Sequence, residues 1–202
     1  MRSLPLFIFI VCITLLCPVC YGDDAAMWYD TGVELLNQSK YADAAAAFKN
    51  STDLDPTNTW AWLNLGKALQ GMNWITVSYD AFKNATDTDP QNSWAWIFRG
   101  NFLQSRGQVQ QSLGMYDKAV LADPENSWAY YHLGTAHQEL TRYAEAQEAF
   151  SRAIVLDPSN QWGWYNLAMV QKAIGNYSGY FQNLKQATLL DPDLPQKVGL
   201  ET

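Results

Sequence analysis

The chain has almost no chemistry of the reactive kind. Its three cysteines, Cys12, Cys17 and Cys20, all stand in the first 20 residues, so nothing beyond them can form a disulfide, ligate a metal through sulfur or attack a substrate with a thiolate. Positive charge is scarce: 13 Lys and Arg oppose 20 Asp and Glu, for a net charge of -7, and the basic residues do not cluster. The electrostatic footprint that holds a phosphate backbone is therefore missing, which excludes nucleic acid as a partner. The only histidines, His132 and His137, are five residues apart, on different faces of one helix, and no carboxylate stands near them at ligand spacing. No glycine loop cradles a phosphate, and no Ser, His and Asp grouping has supporting context. The expectation is a protein without catalytic residues, metal or cofactor.

The N-terminus is the one long hydrophobic run. Arg2 precedes 16 uncharged residues from Leu4 to Val19, followed by Cys20, Tyr21, Gly22 and the acidic pair Asp23 and Asp24. Residues 1–22 read as a secretory signal cleaved after Gly22, which predicts an exported protein, whether extracellular, at the cell surface or periplasmic. An uncleaved anchor in the membrane is the alternative, because the run is only slightly short of the ~20 residues of a spanning helix.

The rest of the chain is periodic. Asp-Pro recurs at Asp55-Pro56, Asp89-Pro90, Asp123-Pro124, Asp157-Pro158 and Asp191-Pro192, always 34 residues apart. Such self-similarity is the signature of a stacked repeat array. With Thr59 as position 1, Trp62, Leu65, Gly66 and Leu69 stand at positions 4, 7, 8 and 11, one face of a first helix. Ser78, Phe82 and Ala85, at 20, 24 and 27, form one face of a second. A short break separates the two, proline ends the second, and Asn58, Asn92, Asn126 and Asn160 offer caps for each following first helix. Asp53, Asp55, Asp87 and Asp89 recur with the period at helix ends, so they read as turn and solvation residues, without the glycine and terminal glutamate of a calcium loop.

The fourth unit, with Tyr130, Leu133, Gly134, Ala146, Phe150, Ala153 and Pro158, closely resembles the tetratricopeptide repeat pattern. The resemblance implies an all-α solenoid of five helical hairpins, residues 25–58, 59–92, 93–126, 127–160 and 161–194, with a tail at 195–202. Departures are Thr31 and Arg99 where leucine is usual, Ala168 for glycine in the fifth unit, and Tyr180 at a normally small position. The tail is short for a capping helix, which predicts an uncapped last repeat able to meet a second copy or another protein.

Two aromatic columns follow from the register. Trp28, Trp62, Trp96, Tyr130 and Trp164 at position 4 read as core. Trp60, Trp94, Trp128 and Trp162 at position 2 lie on another face, shared with positions 5, 9 and 12. In the resembled family that face lines a concave groove, which implies partner-binding residues Trp60, Leu63, Trp94, Ile97, Asn101, Trp128, Tyr131, Trp162 and Tyr165. Packing between neighbouring first helices is the competing role for the position 2 tryptophans. Position 5 is never Lys or Arg, which argues against a clamp for a terminal carboxylate. The expected function is a non-catalytic scaffold that binds a protein or peptide partner. A polysaccharide on the same aromatic surface and a self-assembling structural protein are the alternatives. Asn37, Asn50, Asn84 and Asn176 open N-x-S/T sequons, expected to be exposed and available to glycans.

Overall fold

The computed structural model describes residues 18–199, with side chains from Asp24 onward; most of the N-terminal apolar run, residues 1–17, lies outside the described residues. Within them the chain is helical throughout: α1 (Pro18–Asn37), α2 (Tyr41–Leu54), α3 (Thr59–Gly71), α4 (Ile75–Thr88), α5 (Ser93–Ser105), α6 (Val109–Ala122), α7 (Ser127–Glu139), α8 (Tyr143–Leu156), α9 (Gln161–Ala173), α10 (Tyr177–Leu190) and the short α11 (Leu194–Lys197). Each odd helix packs on the even helix after it, and each hairpin packs on the next, which makes an all-α solenoid. None of the described helices is long and apolar enough to cross a membrane. α1 differs from the other first helices in starting several residues early and running unbroken through Gly22.

Two kinds of turn alternate. Between hairpins, the aspartate of each Asp-Pro accepts the backbone N–H two residues on, as in Asp55 with Thr57 at 3.0 Å and Asp157 with Ser159 at 3.0 Å. The asparagine that follows then caps the next helix: Asn58 accepts from Ala61 N, Asn92 from Ala95 N, Asn126 from Trp128 N and Asn160 from Trp162 N. Within hairpins, position 15 always adopts the left-handed conformation, at Ser39, Asn73, Gly107, Thr141 and Gly175. Glycine and asparagine sit there at little cost, whereas a β-branched threonine is strained.

Closure of the hairpin depends on position 8. In the first four units a Cβ on Gly32, Gly66, Gly100 or Gly134 would come within 2.5–2.8 Å of the ring of Phe48, Phe82, Tyr116 or Phe150 at position 24. Those rings are fully buried. Each such burial contributes roughly 2–3 kcal/mol, and only a glycine lets the two helices come close enough. In the fifth unit Ala168 and Leu184 hold these positions while Tyr180, one turn earlier, is buried in their place. The departures in that unit are therefore one coupled exchange: the ring moved by a turn, and position 8 no longer had to be glycine.

The position 4 column is shallower than expected. Trp96 is buried, but Trp28, Trp62, Tyr130 and Trp164 are only half-buried. The indole N–H of Trp62, Trp96 and Trp164 donates to the carbonyl of Pro56, Pro90 and Pro158 at 2.9, 2.8 and 3.0 Å. These tryptophans pin the turns and cover the core, whose centre is made by the position 24 rings. Arg99 is accommodated by polar partners between α4 and α5: its guanidinium donates to the Tyr79 hydroxyl at 2.9 Å and to Thr86 Oγ1 at 3.0 Å.

Two substitutions test this account by urea denaturation. Gly66→Ala forces Phe82 out of its seat and destabilises the fold by about 2 kcal/mol or more. Thr141→Gly relieves left-handed strain and stabilises it by about 1 kcal/mol.

Candidate partner-binding groove

The inner face of the solenoid is built by α3, α5, α7 and α9. At 100° per residue, positions 6, 9 and 13 fall within about 40° of position 2, whereas position 5 is turned about 60° away, toward the next repeat. That rotation decides which expected residues reach the surface. Trp60 and Trp128 are exposed, at 42% and 36% of their free area, and Trp94 and Trp162 are half-buried. Leu63 and Ile97 are not groove residues: they are 0% and 1% exposed. Leu63 packs with Phe82, Ala95 and Phe102, and Ile97 with Trp96, Ala119 and Ala129, because a short aliphatic chain at position 5 ends beneath the following hairpin.

Longer side chains at position 5 escape that cover. Tyr131 is half-buried, and its hydroxyl accepts a hydrogen bond from Asn166 Nδ2 at 3.1 Å, as Tyr29 accepts from Asn64 at 3.3 Å. Tyr165 stands edge-on to Trp162 with ring centroids 6.2 Å apart, and Tyr131 stands edge-on to Trp128 at 5.5 Å. Asn101 is half-buried, its Oδ1 2.7 Å from the Tyr116 hydroxyl, which also lies 2.6 Å from Gln104 Oε1. It therefore braces the buried ring as well as facing the groove.

Position 6 supplies the residues that the two-five-nine-twelve pattern missed. Phe98 lies beside Trp94, with the Lys67 ammonium 4.0 Å above its ring; burial lowers the pKa of that lysine. His132 is stacked on Tyr116 at 5.6 Å and 17°, with Trp128 and Tyr131 around it at 6.1 and 5.3 Å. Burial pushes His132 down to about 4, so at neutral pH it is an uncharged member of an aromatic cluster. Burial first and Glu139 second push the Tyr116 phenol up. A shallow cavity of about 410 Å³ between α5 and α7 is lined by Asn101, Gln104, Tyr131, His132, Thr135 and Glu139. The face is thus aromatic and amide-rich, with little charge.

A larger concavity, about 600 Å³, lies elsewhere, between α7 and α8, with Tyr130, Leu133 and Ala149 on its walls and Arg152 over the Tyr130 ring at 5.8 Å. No group of His, Cys, Asp or Glu among the described residues could hold a metal ion. Of the sequon asparagines, Asn37, Asn50 and Asn176 are exposed and Asn84 is half-buried, so the expectation of four open sites is corrected at Asn84. Asn176 also caps α10 by accepting from Gly179 N at 3.1 Å.

Comparison with known families agrees with this architecture. A tetratricopeptide repeat model matches residues 127–160, one complete hairpin, and a second matches residues 23–70. The chain is a tetratricopeptide repeat protein. Membership carries the coarse functional class, a protein-interaction scaffold without catalytic machinery. No curated protein sequence matches this repeat protein. Among solved structures it is similar to the MamA protein, at 19% identity and a TM-score of 0.69, covering 90% of this chain and 98% of that one. Residues 41 to the end of MamA from Desulfovibrio magneticus RS-1 align at 19% identity and a TM-score of 0.71, covering 86% and 98%. YrrB, described as a TPR protein with an unusual peptide-binding site, aligns at 19% identity and a TM-score of 0.64, covering 85% and 88%. At these identities the likeness is one of fold.

The His132 cluster makes the array acid-sensitive. The unfolded chain takes up a proton near the ordinary value of 6.5, the folded chain only near 4, so the unfolded state binds more protons between them. Stability is full above pH 6.5 and falls by about 3 kcal/mol as pH drops to 4. Urea midpoints at pH 7 and 4.5 should differ clearly, and His132→Phe, which keeps the stack, should shrink that difference.

Proposed function

We propose that this protein is an exported interaction scaffold that takes an extended protein segment along its concave face. One observation carries the reading. The position 4 indoles of Trp62, Trp96 and Trp164 donate to proline carbonyls of their own chain, whereas the indole N–H groups of Trp60, Trp94, Trp128 and Trp162 have no intramolecular acceptor among the described residues. A row of partly exposed aromatic faces, each with a free donor and flanked by side-chain amides, suits a peptide backbone: rings cover its side chains while the N–H groups and amides meet its carbonyls. The two roles weighed for position 2 are thus combined, since the half-buried Trp94 packs against the cluster that holds Ile97, Ala119 and Ala129 while part of it stays exposed.

The near absence of charge indicates a partner segment with uncharged, apolar side chains. Export is supported by the N-terminal segment, Arg2 followed by the apolar run to Val19 and the small Gly22. A solenoid with no cysteine after Cys20 needs no disulfide to function outside the cytoplasm.

The test is affinity capture with the wild-type chain beside Trp60→Ala, Trp128→Ala and the double variant, each with unchanged helical circular dichroism. The expected result is a protein partner held by the wild type and weakened at least tenfold by each single change, about 1.4 kcal/mol or more. Capture of polysaccharide instead would move the assignment to the carbohydrate alternative, and equal capture by all variants would remove the groove as the site. Intact mass of the native protein reads the export step independently: a chain starting at Asp23 is expected.

A further inference from the structure

We infer that the fifth hairpin is a self-association surface, on which a second copy of this chain docks tail to tail through α10. This surface is separate from the groove and does not rest on the peptide reading.

In the second, third and fourth units, positions 17, 21, 24 and 28 of the second helix are buried or half-buried under the following hairpin; in the second unit these are Ile75, Tyr79, Phe82 and Thr86. Their counterparts on α10 are Tyr177, Phe181, Leu184 and Thr188. Nothing among the described residues covers them fully. Tyr177 and Phe181 are 59% and 64% exposed. The tail only turns back along one edge, where Leu194 is buried and Lys197 pairs with Asp191 at 2.7 Å. A groove of about 340 Å³ is left, lined by Phe181, Leu184, Lys185, Thr188 and Leu189.

The occupant is restricted by the other end of the array. A second copy could continue the solenoid only if α1 served as the next first helix. At position 3, where each first helix meets the preceding hairpin, the interior units carry the fully buried Ala61, Ala95 and Ala129, and Gly163, whose absent Cβ would stand 2.9 Å from Ile154. Unit one has Met27 there, 54% exposed, a long side chain where the interior units have none larger than alanine. Met27 would be driven into α10, so head-to-tail growth is blocked.

The α10 stripe is complementary to itself. Its residues are spaced four, three and four, the seam of paired helices. Two antiparallel copies related by a two-fold axis between Leu184 and Lys185 set each Phe181 ring into the other's groove beside Thr188 and Leu189. That is an isologous contact, which closes at two copies. Charge permits it: residues 161–199 carry three lysines against two aspartates, a slight positive excess in a chain of net charge -7, so two tails meet without strong repulsion.

The face is small, so the dimer is weak. Sedimentation equilibrium of the full chain across roughly 10–500 µM should show reversible monomer–dimer exchange. Phe181→Glu and Leu189→Glu, both at exposed positions, should each weaken it at least tenfold with helical content unchanged. A strict monomer at the highest concentration overturns the inference. So does mass that grows beyond two copies, which is head-to-tail stacking, or a dimer that survives Phe181→Glu, which is association through another surface such as the N-terminal apolar run.

Discussion

The contact on which the rest depends is an aromatic ring lying on a glycine. In four successive hairpins the position 24 ring sits where a position 8 side chain would begin, with no room for one methyl group. This sets the distance between the two helices of each unit, and with it the angle at which the hairpin presents its outer face to the next. Because each unit touches only its neighbours, an error in one closure propagates along the stack rather than being absorbed in a common core. The small residues at position 3 perform the same service between units. Turns and caps then terminate elements whose spacing these contacts have set.

The two ends break the rule in different ways. At the head, Met27 stands where the interior units have alanine or glycine. At the tail, Tyr180 takes over the buried ring and Leu184 is left facing outward, so α10 keeps an interior helix's apolar stripe without an interior helix's cover. Between the ends, the inner face follows from the same geometry. Packing uses positions 4, 7, 8 and 11 toward the partner helix and 3 and 5 toward neighbouring hairpins, which leaves positions 2, 9 and 13, with Phe98 and His132 of position 6, at least partly uncovered.

Most of the fold was legible in the sequence because the period of 34 multiplies every weak local signal by five. Asp-Pro turns, asparagine caps and the two apolar helix faces each recur, and a recurring residue can be placed by its register alone. The groove was less legible because register gives direction without depth. Leu63 and Ile97 share their position with Tyr131 and Tyr165, and only side-chain length decides which of them emerges past the next hairpin. Trp62 and Trp96 share one role yet differ in burial. Phe98 and His132 were missed because the inherited pattern skips position 6, although their angle from position 2 was available from helix geometry. Tyr180 looked like a defect until Ala168 and Leu184 were read with it.

The central claim, that the concave face carries the partner, is tested most directly by amide hydrogen exchange of the chain with and without its captured partner. The account predicts added protection concentrated in α3, α5, α7 and α9, strongest around Trp94 to Asn101 and Trp128 to Thr135, with α4, α6 and α8 little changed. Protection confined to the even-numbered helices, or to the cavity between α7 and α8, would contradict it.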